Sequence, residues 1–335
     1  MTLPAAAVSV VLPFRDASAT LGEALDSIRN QSLHNIECVL VDHGSQDSSS
    51  SIASDFARRD SRFRVVRSDG TFVDALNRGV GASRAPLIAR MDSDDRSRPL
   101  RLQRQLHTLE QDRGLQLVSC LVDCFPRAEI AGGMRRYQTW LNAQVSPTEI
   151  RNALFVESPL PHPSVVFRRE TFDTVRGYAE TGGPEDYDLW LRMILGGARA
   201  AKVPEVLLEW RESPTRMSRV DPRYAKDRFF ATKLRHFPRA VPLGTPLQIW
   251  GTGPTARRWA RELRRAGYPI RRFVDVVDKR VGRTVQGVTV EPPAAIEADA
   301  GLVLAAVGLT GARAIIEENL QARGMWPGRD YIAVA

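Results

Sequence analysis

The first hundred residues switch repeatedly between two hydrophobic periods. Short runs dominated by β-branched and other apolar residues, Val8–Leu12, Ile36–Val41, Phe63–Val66 and Leu87–Met91, predict strands. Between them, Ala17–Asn30, Ser48–Arg59 and Thr71–Ala82 carry helical spacing, with Leu21, Leu25 and Ile28 on one face of the first. Such alternation predicts a parallel sheet covered by helices, an α/β architecture. The apolar stretch from Met1 to Val11 lacks a basic flank and runs straight into a strand, so it reads as structure rather than as a signal peptide. No run of about 18 apolar residues occurs, so no membrane-spanning helix is expected.

Beyond Gln103 the pattern is less regular. Leu100–Leu109 and Pro184–Leu195 read as helices, the second opened by proline and acidic residues. Leu115–Val122 and Val203–Trp210 read as strands, and Val165–Arg168 is a short apolar run after Pro161-His162-Pro163. Proline and glycine cluster between Phe237-Pro238 and Thr245-Pro246. The expected organisation is a first domain over residues 1–238, a linker over 239–246 and a second, Rossmann-like α/β domain over 247–335. In the second, strands are predicted at Leu247–Trp250, Ile270–Val274 and Gly301–Val307, with a helix between the first two ending near Ala266.

Composition narrows the setting. Cys38, Cys120 and Cys124 are an odd, sparse set, which speaks against a disulfide framework and fits a reducing, cytoplasmic compartment. Without a second pair near Cys120 and Cys124, they read as small buried side chains and not as a zinc site. The net charge is +8, and only four of the 47 basic residues are lysines. An arginine-rich surface suits phosphate groups or peripheral contact with the inner face of a membrane. Nucleic acid is not expected as a partner: no zinc-finger spacing, aromatic RNA-binding run or dense basic helix stands out.

Ligands of such sheets sit outside the carboxyl ends of the strands. There the sequence places Pro13-Phe14-Arg15-Asp16, Asp42-His43-Gly44-Ser45, Ser68-Asp69-Gly70 and Asp92-Ser93-Asp94-Asp95. Each loop delivers a carboxylate. Asp92, Asp94 and Asp95 can offer oxygen ligands to Mg²⁺ or Mn²⁺, with substrate phosphates completing the shell. The competing reading is a solvated turn whose acids cap the next helix. Glu185-Asp186 opens a helix, where acids favour the dipole, but a helix start can also hold a general base rigidly.

Taken together, these segments resemble family 2 glycosyltransferases of the GT-A fold. The resemblance runs in order from Val8-Ser9-Val10-Val11-Leu12-Pro13-Phe14 through Val41-Asp42-His43-Gly44-Ser45-Gln46-Asp47 and Ala75-Leu76-Asn77-Arg78-Gly79. It continues with Ile88-Ala89-Arg90-Met91-Asp92-Ser93-Asp94-Asp95, Pro99-Leu100-Arg101-Leu102-Gln103, His162-Pro163-Ser164-Val165-Val166-Phe167-Arg168 and Glu185-Asp186-Tyr187-Asp188-Leu189-Trp190-Leu191-Arg192. It spans about residues 7 to 220.

The resemblance implies an inverting glycosyltransferase that uses a nucleotide-diphosphate sugar, with UDP the expected carrier. Pro13, Phe14, Arg15, Asp42, His43, Asp69, Arg90 and Asp92 would line the donor site. His162 and Arg168 would lie at its diphosphate or acceptor wall. Asp92, Asp94 and Asp95 would face the metal, and Asp186, beside Glu185, would be the catalytic base. The acceptor would be a glycan or a lipid-linked glycan, in the bacterial surface polysaccharide setting usual for such relatives.

Two positions depart from the pattern. His43 stands where a second aspartate is usual, and Ser213 stands where many relatives carry histidine after Arg211-Glu212. In the C-terminal domain, Gly251-x-Gly253-x-x-Ala256 after a strand, with Asp275 ending the next, approximates a dinucleotide fingerprint. Two alternatives follow: an NAD-linked sugar-modifying enzyme acting through this domain, and an inactive nucleotide- or carbohydrate-binding protein.

Overall fold

The structure, a computed structural model, describes residues 6–309 and 311–335; the part of the N-terminal reading that falls on Met1–Ala5 lies outside them. Among the described residues two compact units form: one from the chain up to Ile150 together with Leu160–Phe229, the other from Arg151–Pro159 together with Phe230–Ala335. The division falls within a helix, Lys226–Ala240, which carries Pro238 near its end.

The first unit is built on eight strands: β1 Val8–Phe14, β2 Ile36–Asp42, β3 Phe63–Arg67, β4 Leu87–Arg90, β5 Arg96–Ser97, β6 Leu117–Phe125, β7 Val166–Arg168 and β8 Ala200–Arg211. Their order in the sheet is β3-β2-β1-β4-β7-β6-β8-β5. β1, β2 and β4 are buried along their whole length, as strands covered on both faces must be, which is why they read as near-continuous apolar runs. The expected parallel sheet holds for β3-β2-β1-β4. Beyond it β7 runs antiparallel to β4 and β6, β8 runs parallel to β6, and β5 runs antiparallel to β8.

Three helices, Leu21–Arg29, Ser49–Arg59 and Phe72–Ala82, connect the parallel strands, close to the predicted spans. Gly79 explains one quoted segment: a Cβ there would come within 2.4 Å of Val11 Cγ1, so only glycine lets this helix lie directly on β1 and β2. The helices Gly132–Asn142 and Pro147–Ala153 were not anticipated. The three cysteines are free and buried.

In the second unit the strands are β9 Leu247–Trp250, β10 Ile270–Val274, β11 Thr284–Val285, β12 Val288–Glu291, β13 Leu302–Ala305 and β14 Tyr331–Ala333, ordered β11-β12-β10-β9-β13-β14. All neighbours are parallel except β11 and β12. The chain order therefore reverses at β9, as in a Rossmann-like sheet. The helix Pro254–Arg265 buries Ala256, Trp259, Ala260 and Leu263 and carries Arg257, Arg258, Arg261, Arg264 and Arg265. A dense basic helix is therefore present, contrary to the sequence reading; its regular apolar face had hidden the arginine content of the other.

Candidate active site

The parallel half of the sheet gathers its carboxyl ends at one edge. Phe14 is level with Asp42, Asp42 with Arg67, and Arg90 with Val11. The loops beginning at Arg15, His43, Ser68 and Met91 therefore leave the same edge. Asp42 accepts hydrogen bonds from the backbone N–H of Ser45 at 3.0 Å and from the Ser50 hydroxyl. Burial works to raise this carboxyl, but those donors outweigh it and hold it below the usual range, so it is an anion at neutral pH. His43 is half-buried with its ring 6.3 Å from that of Phe72, and its Nδ1 is sealed from solvent without a hydrogen-bond partner. Burial, then the cation of Arg15, lower its proton affinity, so the ring is neutral. Asp69 is exposed on the third loop.

Arg90, the last residue of β4, is 2% exposed. Its Nη2 donates to Oδ1 of Asp92 at 2.6 Å and its Nη1 donates to the carbonyl of Met91. Below it, fully buried Arg101 donates to the Arg90 carbonyl at 2.7 Å and to Oε1 of Gln105 at 3.1 Å. The Gln105 amide in turn donates to the carbonyls of Val118 and Ser164, both at 2.8 Å. The segment around Arg101 thus braces the strand end that carries the acids.

Asp92, Asp94 and Asp95 each bring a carboxylate oxygen within 4.8 Å of the others. Asp95 is 1% exposed; one oxygen accepts the Arg211 N–H at 2.7 Å while Oδ2 is buried without a partner. Burial, then the charge of Asp92, raises Asp94 to about 6, and burial, then Asp94, raises Asp95 well above the usual range. Three clustered carboxylates, one with an orphaned buried oxygen, form an oxygen-only donor set suited to a hard divalent cation.

Across from this cluster stands the helix Glu185–Leu195. The Asp186 carboxylate accepts its neighbour Tyr187's N–H at 2.7 Å. Burial, then Glu185, then Asp92, push its pKa up to about 8 against the pull of the Tyr187 N–H and Arg90. The charges of Asp92 and Arg90 thus bear directly on Asp186, which puts the helix start and the acid cluster in one neighbourhood. His162 is buried, with Nε2 2.7 Å from the Tyr178 hydroxyl. Burial, then Arg90, hold it neutral. The backbone of Tyr178 is itself fixed by Asn77, whose amide takes both its N–H and its carbonyl at 3.0 Å.

Three expected site residues are placed elsewhere. Pro13 and Phe14 belong to β1, not to the loop, and the Phe14 side chain packs in the hydrophobic core; the exposed side chain there is Arg15. Arg168 is level with Leu87, at the start of β4, and donates to the carbonyls of Leu115 at 2.8 Å and Leu109 at 3.0 Å. Because β7 is antiparallel, its last residue points to the edge opposite Arg90. In the second unit, Asp275 is engaged by its own chain: Thr252 and Arg280 donate to one oxygen and the Val277 N–H to the other.

Arg216, Arg223 and Tyr224 were not anticipated. Arg216 exerts its charge on Asp94 and Asp95, and Arg223 and Tyr224 contact Glu185. They come from short turns after β8, where no periodicity marks them; Pro222 was the one signal of a fixed turn.

A family model described as Glycosyl transferase family 2 matches residues 9–176, half of the chain, and the chain belongs to that family. It is 27% identical over 216 residues to the O-antigen biosynthesis glycosyltransferase WbnJ of Escherichia coli, covering 61% of this chain and 79% of that one. Among solved structures it resembles the mannosyltransferase PcManGT from Pyrobaculum calidifontis in complex with GDP-Man and Mn²⁺, with a TM-score of 0.54, 19% identity and coverage of 78% and 69%. It also resembles S. aureus TarS 1-349 in complex with UDP-GlcNAc, with a TM-score of 0.56, 14% identity and coverage of 70% and 66%. At these identities the structures speak for the GT-A fold. No helix among the described residues is long and apolar enough to cross a membrane.

Proposed function

We propose that this chain is a metal-dependent, inverting glycosyltransferase that moves a sugar from a nucleotide-diphosphate donor to a hydroxyl of a glycan or lipid-linked acceptor. The observation that carries this is the pairing of Asp186, poised near pH 8, with the cluster of Asp92, Asp94 and Asp95. UDP is the favoured carrier, and surface polysaccharide assembly, at the inner face of the membrane, is the favoured setting. The O-antigen relative supports that setting, and the UDP-GlcNAc complex of one structural neighbour supports UDP, against GDP-Man in the other.

Asp92 and Asp94 would hold Mg²⁺ or Mn²⁺, with Asp95 behind them. A bound divalent ion supplies charge stabilisation to the departing diphosphate. The chain's own part is to orient and to move a proton. Arg90 holds the Asp92 carboxylate in place, and the Asp42 anion and neutral His43 face the nucleoside. Asp186 takes the proton of the acceptor hydroxyl as that oxygen attacks the anomeric carbon. A single base and a single displacement invert the configuration; two flanking carboxylates of the glycosidase kind are not needed.

The test is release of nucleoside diphosphate from a panel of UDP-, GDP- and dTDP-sugars with Mn²⁺ and a crude glycan acceptor. Metal-dependent release that disappears in Asp186→Asn supports the proposal. Binding of nucleotide without release from any donor would favour the inactive binding protein.

A further inference from the structure

We infer that Arg223 and Tyr224 form a clamp that positions the start of the Asp186 helix against the nucleoside-facing rim, and that Glu185 is a positioning residue held by this clamp. The inference rests on the reading of Asp186 as the base.

Glu185 is 1% exposed, and its two oxygens share the single O–H proton of Tyr224, at 2.7 and 2.9 Å. Arg223 adds a cation 3.9 Å from Oε2. An acid so enclosed is closed off from an acceptor hydroxyl. It can instead tie its helix to whatever holds it. The tie is stiff, because Arg223 is itself anchored by Asp221 through Nη2 at 2.8 Å and Nε at 3.1 Å. Both belong to the short turn around Pro222–Tyr224.

The same guanidinium reaches the other side of the site. Its carbon lies 5.7 Å from the centre of the Phe72 ring, and its charge bears on His43. Phe72 opens the helix that follows the loop after β3, on the rim shared with His43. One side chain therefore touches both the rim that would meet the nucleoside and the first turn that carries Asp186. Displacing a catalytic group by about 1 Å can lower a rate about a hundredfold, so a brace of this kind has leverage on turnover.

The charged and titratable groups that bear on Asp186 are Glu185 on its own helix, Tyr224 from the turn, Asp92 and Arg90 from the end of β4, and Tyr178; Arg223 acts on Glu185. Altering Tyr224 or Arg223 leaves the acid cluster and the His162 contact in place.

The experiment compares wild type, Tyr224→Phe and Arg223→Gln, with Asp186→Asn as control, using the donor that gives the fastest release in the panel above. Tyr224→Phe is expected to lower kcat about tenfold or more with donor KM within about twofold, and to move the acid limb of the kcat profile to lower pH. The limb moves because Glu185, losing its donor, takes up a proton and no longer raises Asp186. Arg223→Gln is expected to raise donor KM as well, since it also lets go of the rim. Folded variants of both with wild-type kcat, KM and pH profile would overturn the clamp. An active Asp186→Asn would instead overturn the base on which it rests. Should Tyr224→Phe not fold, Glu185→Gln takes its place with the same expected fall in kcat. Should no donor turn over, a carbon-13 titration of the Asp186 carboxyl in wild type and Tyr224→Phe decides, and identical curves would overturn the inference.

Discussion

Buried Arg90 donates to the Asp92 carboxylate at 2.6 Å from only two residues away, so the strand that delivers the acid also delivers its counter-charge. A cation at 2% exposure is held there by Asp92 and the Met91 carbonyl, while its Nε is buried without a partner. Arg90→Met should therefore cost about 3 kcal/mol, read as a lowered urea midpoint, because the carboxylate and the carbonyl lose their donor. Nucleotide release should fall by at least about tenfold, since Asp92 loses its fixed orientation.

Removal of the metal offers an independent check. EDTA should abolish release from the donor and added Mn²⁺ should restore it. Asp92→Asn and Asp94→Asn should each weaken Mn²⁺ binding, measured by calorimetry, by about tenfold or more. Both should fold, and Asp94→Asn should gain stability, because it removes one of the mutually repelling acids.

Lys202 supplies a pH-dependent test of the fold. It is 3% exposed on β8, its Nζ donates to the Leu141 carbonyl, and burial lowers its pKa to about 7. Between about pH 7 and the unfolded value of 10.5 the unfolded chain binds this proton and the folded chain does not. Stability should therefore rise as pH increases through that window, by at most about 1.4 kcal/mol per unit. Lys202→Met should flatten the slope, as followed by urea unfolding from pH 7 to 9.5.

Arg168→Ala separates support from function. Its guanidinium holds the carbonyls of Leu109 and Leu115, so the variant should lose about 1–3 kcal/mol of stability. Donor KM should stay within about twofold. A large rise in KM with unchanged stability would return Arg168 to the donor site.

The parallel half of the first sheet was legible because β1, β2 and β4 are buried throughout and each is followed by a short, acid-bearing loop. The acid cluster was legible for the same reason: Asp92, Asp94 and Asp95 sit together in sequence as in space. Arg168 was misplaced because strand direction is not written in a three-residue run; only its antiparallel pairing with β4 reveals which edge it faces. Phe14 was misplaced by one structural step, since β1 continues two residues beyond Leu12. Tyr224 and Arg223 stayed hidden because their partner Glu185 is 38 to 39 residues away, and such separations leave no local period.

The short excursion Arg151–Pro159 has a practical consequence. It leaves the first unit, joins the second, where Val156 packs on the core of Trp250, Val274 and Val303, and then returns. Lys233 fastens it by donating to the Val156 carbonyl at 2.7 Å. A protease cut or a stop codon after Phe229 would thus not yield a tidy catalytic half. It would strip this stitch of its apolar bed and leave Val156 bare in the middle of the remaining polypeptide. Shortened versions of the enzyme should be expected to aggregate unless that stitch is redesigned together with the cut.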